Sequence, residues 1–229
     1  MEIGSDTESE YYSVDSAKLN ELILLLNAES LPYKFSATAY KRFLTACNQD
    51  PNQALVAMIK HSEWRTLIDI ENVALEKSPS FSSKNIVVLG PKDWNGRPTL
   101  CSIIRRHNKN ERNIAEIENY ISFYMEKALK LTKPEEEKLI FIMDLHDFGF
   151  INMDYELVKV LIDIVQVQYR ECLYRIFVVN SPWIFMACWA IIKPWVDYRT
   201  ASKVEFIDIE KLNEYLDTSK LPDDVYVPS

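Results

Sequence analysis

Short apolar runs alternate with longer helical patterns after Pro79, and no other feature of the sequence limits the possible folds as strongly. The runs are rich in β-branched and aromatic residues and end at polar residues or at glycine, which is typical of strands. They cover residues 85–90, 97–104, 138–145, 175–180 and 203–209. Apolar side chains repeat at helical spacing over 111–131 and 153–170. Because parallel strands need crossover connections of such a length, the pattern predicts an α/β fold with a mainly parallel sheet.

The chain before Pro79 shows helical spacing and no strand pattern. Helices are predicted over 15–27 and 36–47, and a third from Asp50 to Trp64. The first 13 residues are acidic and lack the apolar segment of a secretory signal, so they are predicted to be a disordered leader. The predicted organisation is this leader over 1–13, a helical N-terminal segment over 14–77 and an α/β domain over 78–229.

Composition and charge exclude several kinds of function. The four glycines among 229 residues lie too far apart to form the phosphate-binding loops GxGxxG and GxxxxGKS/T, and the hydrolase motif GxSxG is absent. A net charge of −8 without a block of Lys or Arg excludes a nucleic-acid partner held through its phosphates. No apolar stretch approaches the ~20 residues of a membrane-spanning helix, so a soluble, cytoplasmic protein is predicted.

No metal ion, cofactor or enzymatic reaction is predicted. The sequence offers no nucleophile–base pair and no residues at metal-ligand spacing. Asp144, His146 and Asp147 are close in sequence, but neighbouring side chains at a strand end point to opposite faces and do not converge. The four cysteines are predicted to be buried, reduced thiols. They are Cys47, Cys101, Cys172 and Cys188.

Several polar residues are expected to contact solvent. His61 and His107 each stand between polar neighbours in the sequence, so both are expected at the surface. The run Pro-Glu-Glu-Glu-Lys over 134–138 is expected to form a solvated turn.

One segment departs from the amphipathic pattern of the other helices. From Trp183 to Ile192 no residue is polar, and Pro182 and Pro194 flank the segment. A helix here is apolar on every side, and at about 15 Å it is too short to span a bilayer. It is either a buried central helix or a helix with one face on an internal apolar cavity and the other on a membrane or a partner.

Four short motifs and one long stretch follow one another along most of the chain. They are Arg42-Phe43-Leu44, Glu63-Trp64-Arg65, Asp93 with Asn95-Gly96-Arg97-Pro98, Met143-Asp144-Leu145 with Phe148, and the long stretch 175–206. Together they resemble the CRAL-TRIO lipid-binding domain of phosphatidylinositol transfer proteins over about residues 40–222. The stretch 175–206 is the most specific, because it is similar to the family's strand, Asn-x-Pro hinge, gate helix, Lys-Pro-aromatic step and Ser-Lys strand start in unbroken register.

The resemblance implies a helical N-terminal segment followed by a mixed, mainly parallel sheet that floors an apolar lipid pocket, with residues 183–193 as a mobile gate helix. Members of the family bind one lipid and exchange it with membranes without covalent chemistry. The resemblance therefore implies a peripheral protein that extracts, transfers or presents a phospholipid, with phosphatidylinositol as the expected lipid, and that contacts membranes transiently. The resemblance does not indicate whether a lipid kinase or a membrane protein is a further partner.

Ten apolar or aromatic residues are expected to form the pocket and its gate. They are Trp183, Ile184, Phe185, Met186, Trp189, Ile192, Leu100, Tyr124, Leu139 and Phe141. If the gate touches a membrane when it opens, an aspartate at Phe185 or Ile192 is expected to leave the fold intact and to slow lipid exchange.

The register of the resemblance also implies a head-group site. Glu171 and Lys203 match the glutamate and the lysine with which phosphatidylinositol-binding members hold the inositol phosphate, and Thr200 matches a nearby threonine. An ammonium supplies charge for the phosphodiester, and a carboxylate accepts hydrogen bonds from inositol hydroxyls. Without a lipid role, the two charged residues are an ordinary surface ion pair.

Some positions depart from the family's pattern, and they bear on which lipid is bound. Cys47 stands where some members have an arginine that assists phosphatidylinositol binding. Leu100, Leu139 and Phe141 stand where members that also carry phosphatidylcholine have hydroxyl side chains, so phosphatidylcholine exchange is disfavoured; Tyr124 matches a further tyrosine of that site. Two alternatives stay open: a carrier of another apolar ligand, such as a sterol or a terpenoid, and a protein-interaction module whose pocket has collapsed.

Overall fold

The computed structural model describes residues 14–227, and the chain divides into two compact units, Met1–Leu67 and Ile68–Ser229. The expected leader over 1–13 lies outside the described residues. The division after Leu67 precedes the predicted boundary at residue 77, and the segment between them packs with the second unit.

Helices make up the described part of the first unit. They are α1 (Ser16–Asn27), α2 (Ala37–Ala46) and α3 (Pro51–Leu67), close to the predicted ranges. Asp15, Ser36 and Asp50 precede the three helices, and their side chains accept hydrogen bonds from backbone N–H groups of the first turns. The apolar faces of the helices meet in a core that contains Leu22, Phe43, Leu44, Ala54 and Met58.

His61 belongs to this helical core, so the expectation that it lies at the surface is wrong. The residue is only 6% exposed, and its ring centroid lies 5.4 Å from those of both Phe43 and Trp64. Its polar sequence neighbours, Lys60 and Ser62, do not report on its surroundings, because adjacent positions of a helix point in different directions.

The second unit is organised around a sheet with the strand order β1-β2-β3-β4-β5. The strands are β1 (Val87–Gly90), β2 (Thr99–Ile103), β3 (Leu139–Asp144), β4 (Leu173–Val179) and β5 (Val204–Phe206). β1 runs antiparallel to β2, whereas β2, β3, β4 and β5 are parallel to one another. Every strand overlaps a predicted run, so the predicted mixed, mainly parallel sheet is confirmed.

Different elements cover the two faces of the sheet. The helices of the unit are α4 (Pro79–Ser82), α5 (Ile117–Leu129), α6 (Tyr155–Asp163), α7 (Trp183–Ile192) and α8 (Tyr198–Ala201). α5, α6 and α7 lie on one face of the sheet. The C-terminal segment covers the other face, where Leu212 and Leu216 share a buried cluster with Ile140, Ile142 and Phe177. The first face has room for a ligand, and the second is closed by the protein's own chain.

The Asp-x-x-Gly-Arg-Pro motif, residues 93–98, forms the turn that leads into β2. Gly96 has a φ of +88°, a left-handed conformation that glycine adopts without strain. Asp93 accepts hydrogen bonds from the backbone N–H of Arg97 at 2.6 Å and from its guanidinium at 3.1 Å. The motif therefore holds the entry to the parallel part of the sheet.

Candidate functional site

A cavity of about 260 Å³ lies between the sheet and helices α5, α6 and α7. Leu100 and Ser102 of β2 and Phe141 and Met143 of β3 form part of its floor. Strands present alternate side chains to one face, so these two strands give the cavity a continuous wall. Most of the lining is apolar, and the hydrophobic effect favours the transfer of hydrocarbon from water into such a space.

Six of the ten predicted pocket and gate residues line this cavity, and Thr200 lines it as well. The six are Leu100, Tyr124, Phe141, Phe185, Trp189 and Ile192. Leu139 is buried at the first position of β3 and lies outside the lining, because the cavity reaches only the later residues of that strand. Trp183, Ile184 and Met186 belong to α7 but do not line the cavity.

Helix α7 has one side in the protein and the other in solvent. Phe185, Cys188 and Ile192 are buried against the cavity. Trp183 is 83% exposed and Met186 is 51% exposed. Both sides of α7 are apolar, so the helix exposes hydrocarbon to solvent as well as to the cavity. Exposed apolar surface is unfavourable, and a helix that served only to complete a core would have a polar outer side.

The buried side of α7 corrects the choice of substitutions made from the sequence. Phe185 packs its ring edge-on against Phe148 at a centroid distance of 5.3 Å, and Ile192 is buried on the same side. An aspartate at either position would bury a charge beside apolar side chains, which destabilises the fold. Membrane contact is instead tested at the outward positions Trp183, Met186 and Ile191.

The segment before α7 is tied to the sheet. Asn180 has a left-handed φ of +53°, and its side-chain amide donates to Asp144 Oδ1 at 2.8 Å and to the backbone carbonyl of Tyr226 at 2.9 Å. Asp144 is fully buried and also accepts from Arg105 at 2.9 Å. Its carboxylate therefore has a structural role at the start of α7.

The predicted head-group residues Glu171 and Lys203 are in contact. Lys203 Nζ donates to Glu171 Oε2 at 2.7 Å, and the two side chains are only 10% and 11% exposed. Glu171 lies just before β4 and Lys203 lies just before β5. Because these two strands are parallel, their first residues lie at the same end of the sheet. Thr200 and Val204, on either side of Lys203, line the cavity. The pair thus lies beside one end of the cavity.

Lys138 is a third member of this group, although the sequence pattern placed it in a solvated turn. Its side chain is 2% exposed, and its Nζ lies 2.5 Å from the backbone carbonyl oxygen and 3.6 Å from Oε2 of Glu171. A signal for this position was present, because Lys138, Glu171 and Lys203 all precede parallel strands. The starts of β3, β4 and β5 meet at one edge of the sheet, so residues just before them converge.

The surroundings of Glu171 determine its ionisation. Burial alone would raise its pKa, but the charge and hydrogen bond of Lys203, together with the charges of Lys138 and Arg199, outweigh burial and hold the pKa below its ordinary value. Glu171 is therefore ionised at neutral pH.

A second polar group lies near the opposite ends of the parallel strands. His107, Asn152 and Asp154 line the cavity there, and His107 Nε2 lies 3.1 Å from Asp154 Oδ2. Arg112 Nε donates to the same carboxylate oxygen at 2.8 Å. The expectation that His107 lies at the surface is wrong, because its ring stacks over Phe81 within the unit. Burial lowers the pKa of His107, and the Asp154 hydrogen bond offsets only part of this effect.

The described residues, 14–227, contain no group of His, Cys, Asp and Glu side chains arranged to hold a metal ion. Cys47, Cys101, Cys172 and Cys188 are buried free thiols, as predicted. Among the same residues, no helix combines the length and the hydropathy that crossing a bilayer requires.

The matched family agrees with this cavity-forming fold. Residues 81–225 match the model of the CRAL/TRIO domain. The chain belongs to the CRAL/TRIO family. It is 31% identical over 194 residues to the phosphatidylinositol transfer protein CSR1 of Eremothecium gossypii, an alignment that covers 79% of this CRAL/TRIO chain and 44% of that protein.

Further comparisons extend the similarity over nearly the whole chain. The phosphatidylinositol transfer protein SFH5 of Candida glabrata is 25% identical over 229 residues, which cover 94% of this chain and 72% of SFH5. The crystal structure of Sfh5 superimposes with a TM-score of 0.70 at 20% identity, covering 99% of this chain and 94% of that chain, and supports the CRAL/TRIO fold. The chain spans less than half the length of the first two curated relatives that it matches, 44% and 43%.

Proposed function

We propose that this CRAL/TRIO protein carries a phospholipid, phosphatidylinositol being the expected one, between membranes or presents it at their surface. One observation carries the proposal: an apolar cavity ends beside a buried group of one carboxylate and two lysines. The apolar lining suits acyl chains in its chemistry, and the charged end suits an anionic head group. The names of two relatives, both phosphatidylinositol transfer proteins, support the same lipid.

The energetics of lipid transport support a cavity of this kind. Each methylene exposed to water costs about 0.8 kcal/mol, so a two-chain lipid crosses water very slowly without a carrier. An apolar cavity resembles the bilayer interior, so loading and release are close to neutral in free energy. The lipid is carried unchanged, and the charged residues hold its head group.

Membrane contact is assigned to α7. Its exposed apolar residues Trp183, Met186 and Ile191 are suited to the boundary between water and lipid. The cavity of about 260 Å³ is smaller than a two-chain lipid requires, since pockets for drug-sized ligands already measure about 300–1,000 Å³. Outward movement of α7 is therefore part of the proposal.

Mass spectrometry of the lipid that copurifies with the recombinant protein tests the proposal, together with transfer between vesicles. Phosphatidylinositol is expected to be extracted and transferred. Phosphatidylcholine is expected far behind it, because Leu100 and Phe141 offer the cavity no hydroxyl groups. Comparable transfer of the two lipids would contradict the assignment of the head-group site.

A smaller apolar ligand, such as a sterol or a terpenoid, is the second candidate. The volume of the cavity favours it, because one compact ligand needs less movement of α7. Recovery of such a ligand without phospholipid would decide for this candidate. The cavity itself weighs against a protein-interaction module with a collapsed pocket.

A further inference from the structure

Ser102 places a hydroxyl group in the apolar floor of the cavity. It is the fourth residue of β2 and lines the cavity together with Leu100, whereas Cys101 and Ile103 belong to the buried cluster on the other face of the sheet. Ser102 is only 4% exposed, and its hydroxyl has no hydrogen-bond partner within residues 14–227. A buried polar group without a partner is unfavourable, so its presence in an apolar cavity requires an explanation.

The neighbours of Ser102 do not supply the missing partner. In the sheet, Ser102 lies between Val87 of β1 and Met143 of β3, whose apolar side chains also line the cavity. Tyr120 of α5 reaches the same part of the sheet, but its hydroxyl accepts a hydrogen bond from the backbone N–H of Val87 at 2.9 Å. The Ser102 hydroxyl therefore faces the space that a ligand occupies.

Ser102 lies toward the end of the cavity that is opposite the charged group. Glu171 and Lys203 come just before β4 and β5, whereas Ser102 is the last residue but one of β2. Strands β2 to β5 are parallel, so these positions are at opposite ends of the strands. A ligand that is pure hydrocarbon at the Ser102 end shields the hydroxyl from water and offers it no hydrogen bond, which is unfavourable.

The polar residues at the same end of the cavity disfavour an anionic group. Asp154 lines the cavity, and its carboxylate interacts with Arg112 at 2.8 Å and with His107 at 3.1 Å. Arg112 also donates to Glu156 at 2.6 Å. Burial lowers the pKa of His107, so its ring is neutral at pH 7. Neither residue is therefore a free cation for a carboxylate or a phosphate, and a neutral hydroxyl suits this end better.

We infer that this end of the cavity binds the hydroxyl group of a neutral, otherwise apolar ligand, and that Ser102 is its hydrogen-bond partner. A hydroxyl both donates and accepts, so either group can be the donor. The inference rests on the proposed function in that the cavity takes up a ligand from a membrane, and it specifies the compact ligand of the second candidate as an alcohol. The same hydrocarbon without the hydroxyl binds less well, because it leaves Ser102 unpaired.

Two matched pairs of ligands test this inference: cholesterol with cholestene, and farnesol with farnesene, the second of each pair lacking the hydroxyl group. The protein is incubated with phosphatidylcholine vesicles that contain phosphatidylinositol and equal amounts of one pair, then separated from the vesicles, and its lipids are quantified by mass spectrometry. Ser102→Ala is expected to lower the ratio of alcohol to hydrocarbon about fivefold relative to the wild-type protein, the effect of one hydrogen bond between neutral groups. Comparing variants cancels the different tendencies of the two ligands to leave the vesicles.

Ser122→Ala is the matched control. Ser122 is a fully buried serine of α5 whose hydroxyl also lacks a hydrogen-bond partner in the described part of the chain, but it does not line the cavity. It is expected to keep the wild-type ratio, and neither variant should unfold at a lower temperature, because each removes an unpaired buried hydroxyl.

The outcomes separate this inference from the proposed function. An unchanged ratio in Ser102→Ala for both pairs, or an equal decrease in Ser122→Ala, would overturn the inference. Extraction of phosphatidylinositol without either alcohol would also overturn it and leave the proposed function standing. If the protein extracts no lipid at all, both are wrong.

Discussion

Glu171 differs from a carboxylate in a surface ion pair, because burial and several cations act on it together. An exposed pair of this kind contributes about 0–1 kcal/mol and is screened by salt. Glu171 and Lys203 are each about nine-tenths buried, and Lys138 contacts the same carboxylate. Removing either partner therefore leaves charge behind in a partly desolvated place.

Lys203→Ala is expected to weaken phosphatidylinositol binding by about ten- to a hundredfold, since a charge-assisted contact is worth about 1.5–3 kcal/mol. Glu171→Ala is expected to have a smaller effect, and the two losses are expected to be less than additive if both residues hold one head group, as proposed. Displacement of a fluorescent lipid by phosphatidylinositol measures the affinities. Uptake of a fluorescent fatty acid should be retained in both variants. Unchanged phosphatidylinositol affinity in Lys203→Ala would show that the pair is only structural.

At the scale of single residues, the resemblance pointed to two residues that are in contact, whereas polar sequence neighbours did not predict the surroundings of others. The register of the resemblance led to Glu171 and Lys203, which the fold brings together. His107 and Lys138 were expected in solvent because their neighbours in sequence are polar, yet both are buried. Their partners, Asp154 and Glu171, are distant in sequence. Only the packing of strands and loops places these pairs in contact.

At the scale of elements, α7 combines a buried apolar face with an exposed one. Asn180 ties the start of the helix to the buried carboxylate of Asp144. Phe185 and Ile192 fill the cavity side, whereas Met186 and Ile191 face solvent. The two faces can therefore be tested separately.

Met186→Asp and Ile191→Asp are expected to slow lipid transfer between vesicles about tenfold or more, because a charge on the outward face opposes contact with hydrocarbon. The midpoint of thermal unfolding should change little, since both positions are about half exposed. Leu131→Asp, at a residue of similar exposure outside α7, is the control and should transfer at the normal rate. A normal rate in both α7 variants, with the fold intact, would rule out membrane contact through this face.

The strands were easier to predict than the segment that covers them. Each strand is a short apolar run, and such a run is visible locally. The segment with Leu212, Leu216 and Val225 closes the other face of the sheet, but its 3-10 helices are too short to produce a regular apolar period. Its role follows from tertiary packing alone.

At the scale of the whole molecule, acid stability depends on groups that line the cavity. Burial holds the pKa of His107 below its ordinary value, so the unfolded chain takes up this proton at a higher pH than the folded protein does. The free energy of unfolding is therefore expected to decrease as the pH falls below about 6.5, by up to about 1.4 kcal/mol per pH unit.

Chemical denaturation of the wild-type protein and of His107→Gln between pH 7 and about pH 5 measures this effect. The free energy of unfolding of His107→Gln should decrease less over this pH range than that of the wild-type protein, because the variant lacks the imidazole group. A further loss is expected below about pH 4.5, the ordinary range of a glutamate, because the pKa of Glu171 in the folded protein is lowered. Identical pH dependence in the two proteins above pH 5 would contradict the role given to His107.

The cavity between the sheet and α7 also bears on how long the protein survives in a cell. The cavity of about 260 Å³ is lined mostly by apolar side chains, which lack packing partners when no ligand fills it. A typical domain is stable by only about 5–15 kcal/mol, so contacts with a ligand are a noticeable part of the whole. A ligand that fills the space lowers the fraction of unfolded chains and with it the exposure to proteases. If the cavity holds a ligand as proposed, the abundance of the protein is expected to follow the supply of that ligand, because chains with an empty cavity are degraded first.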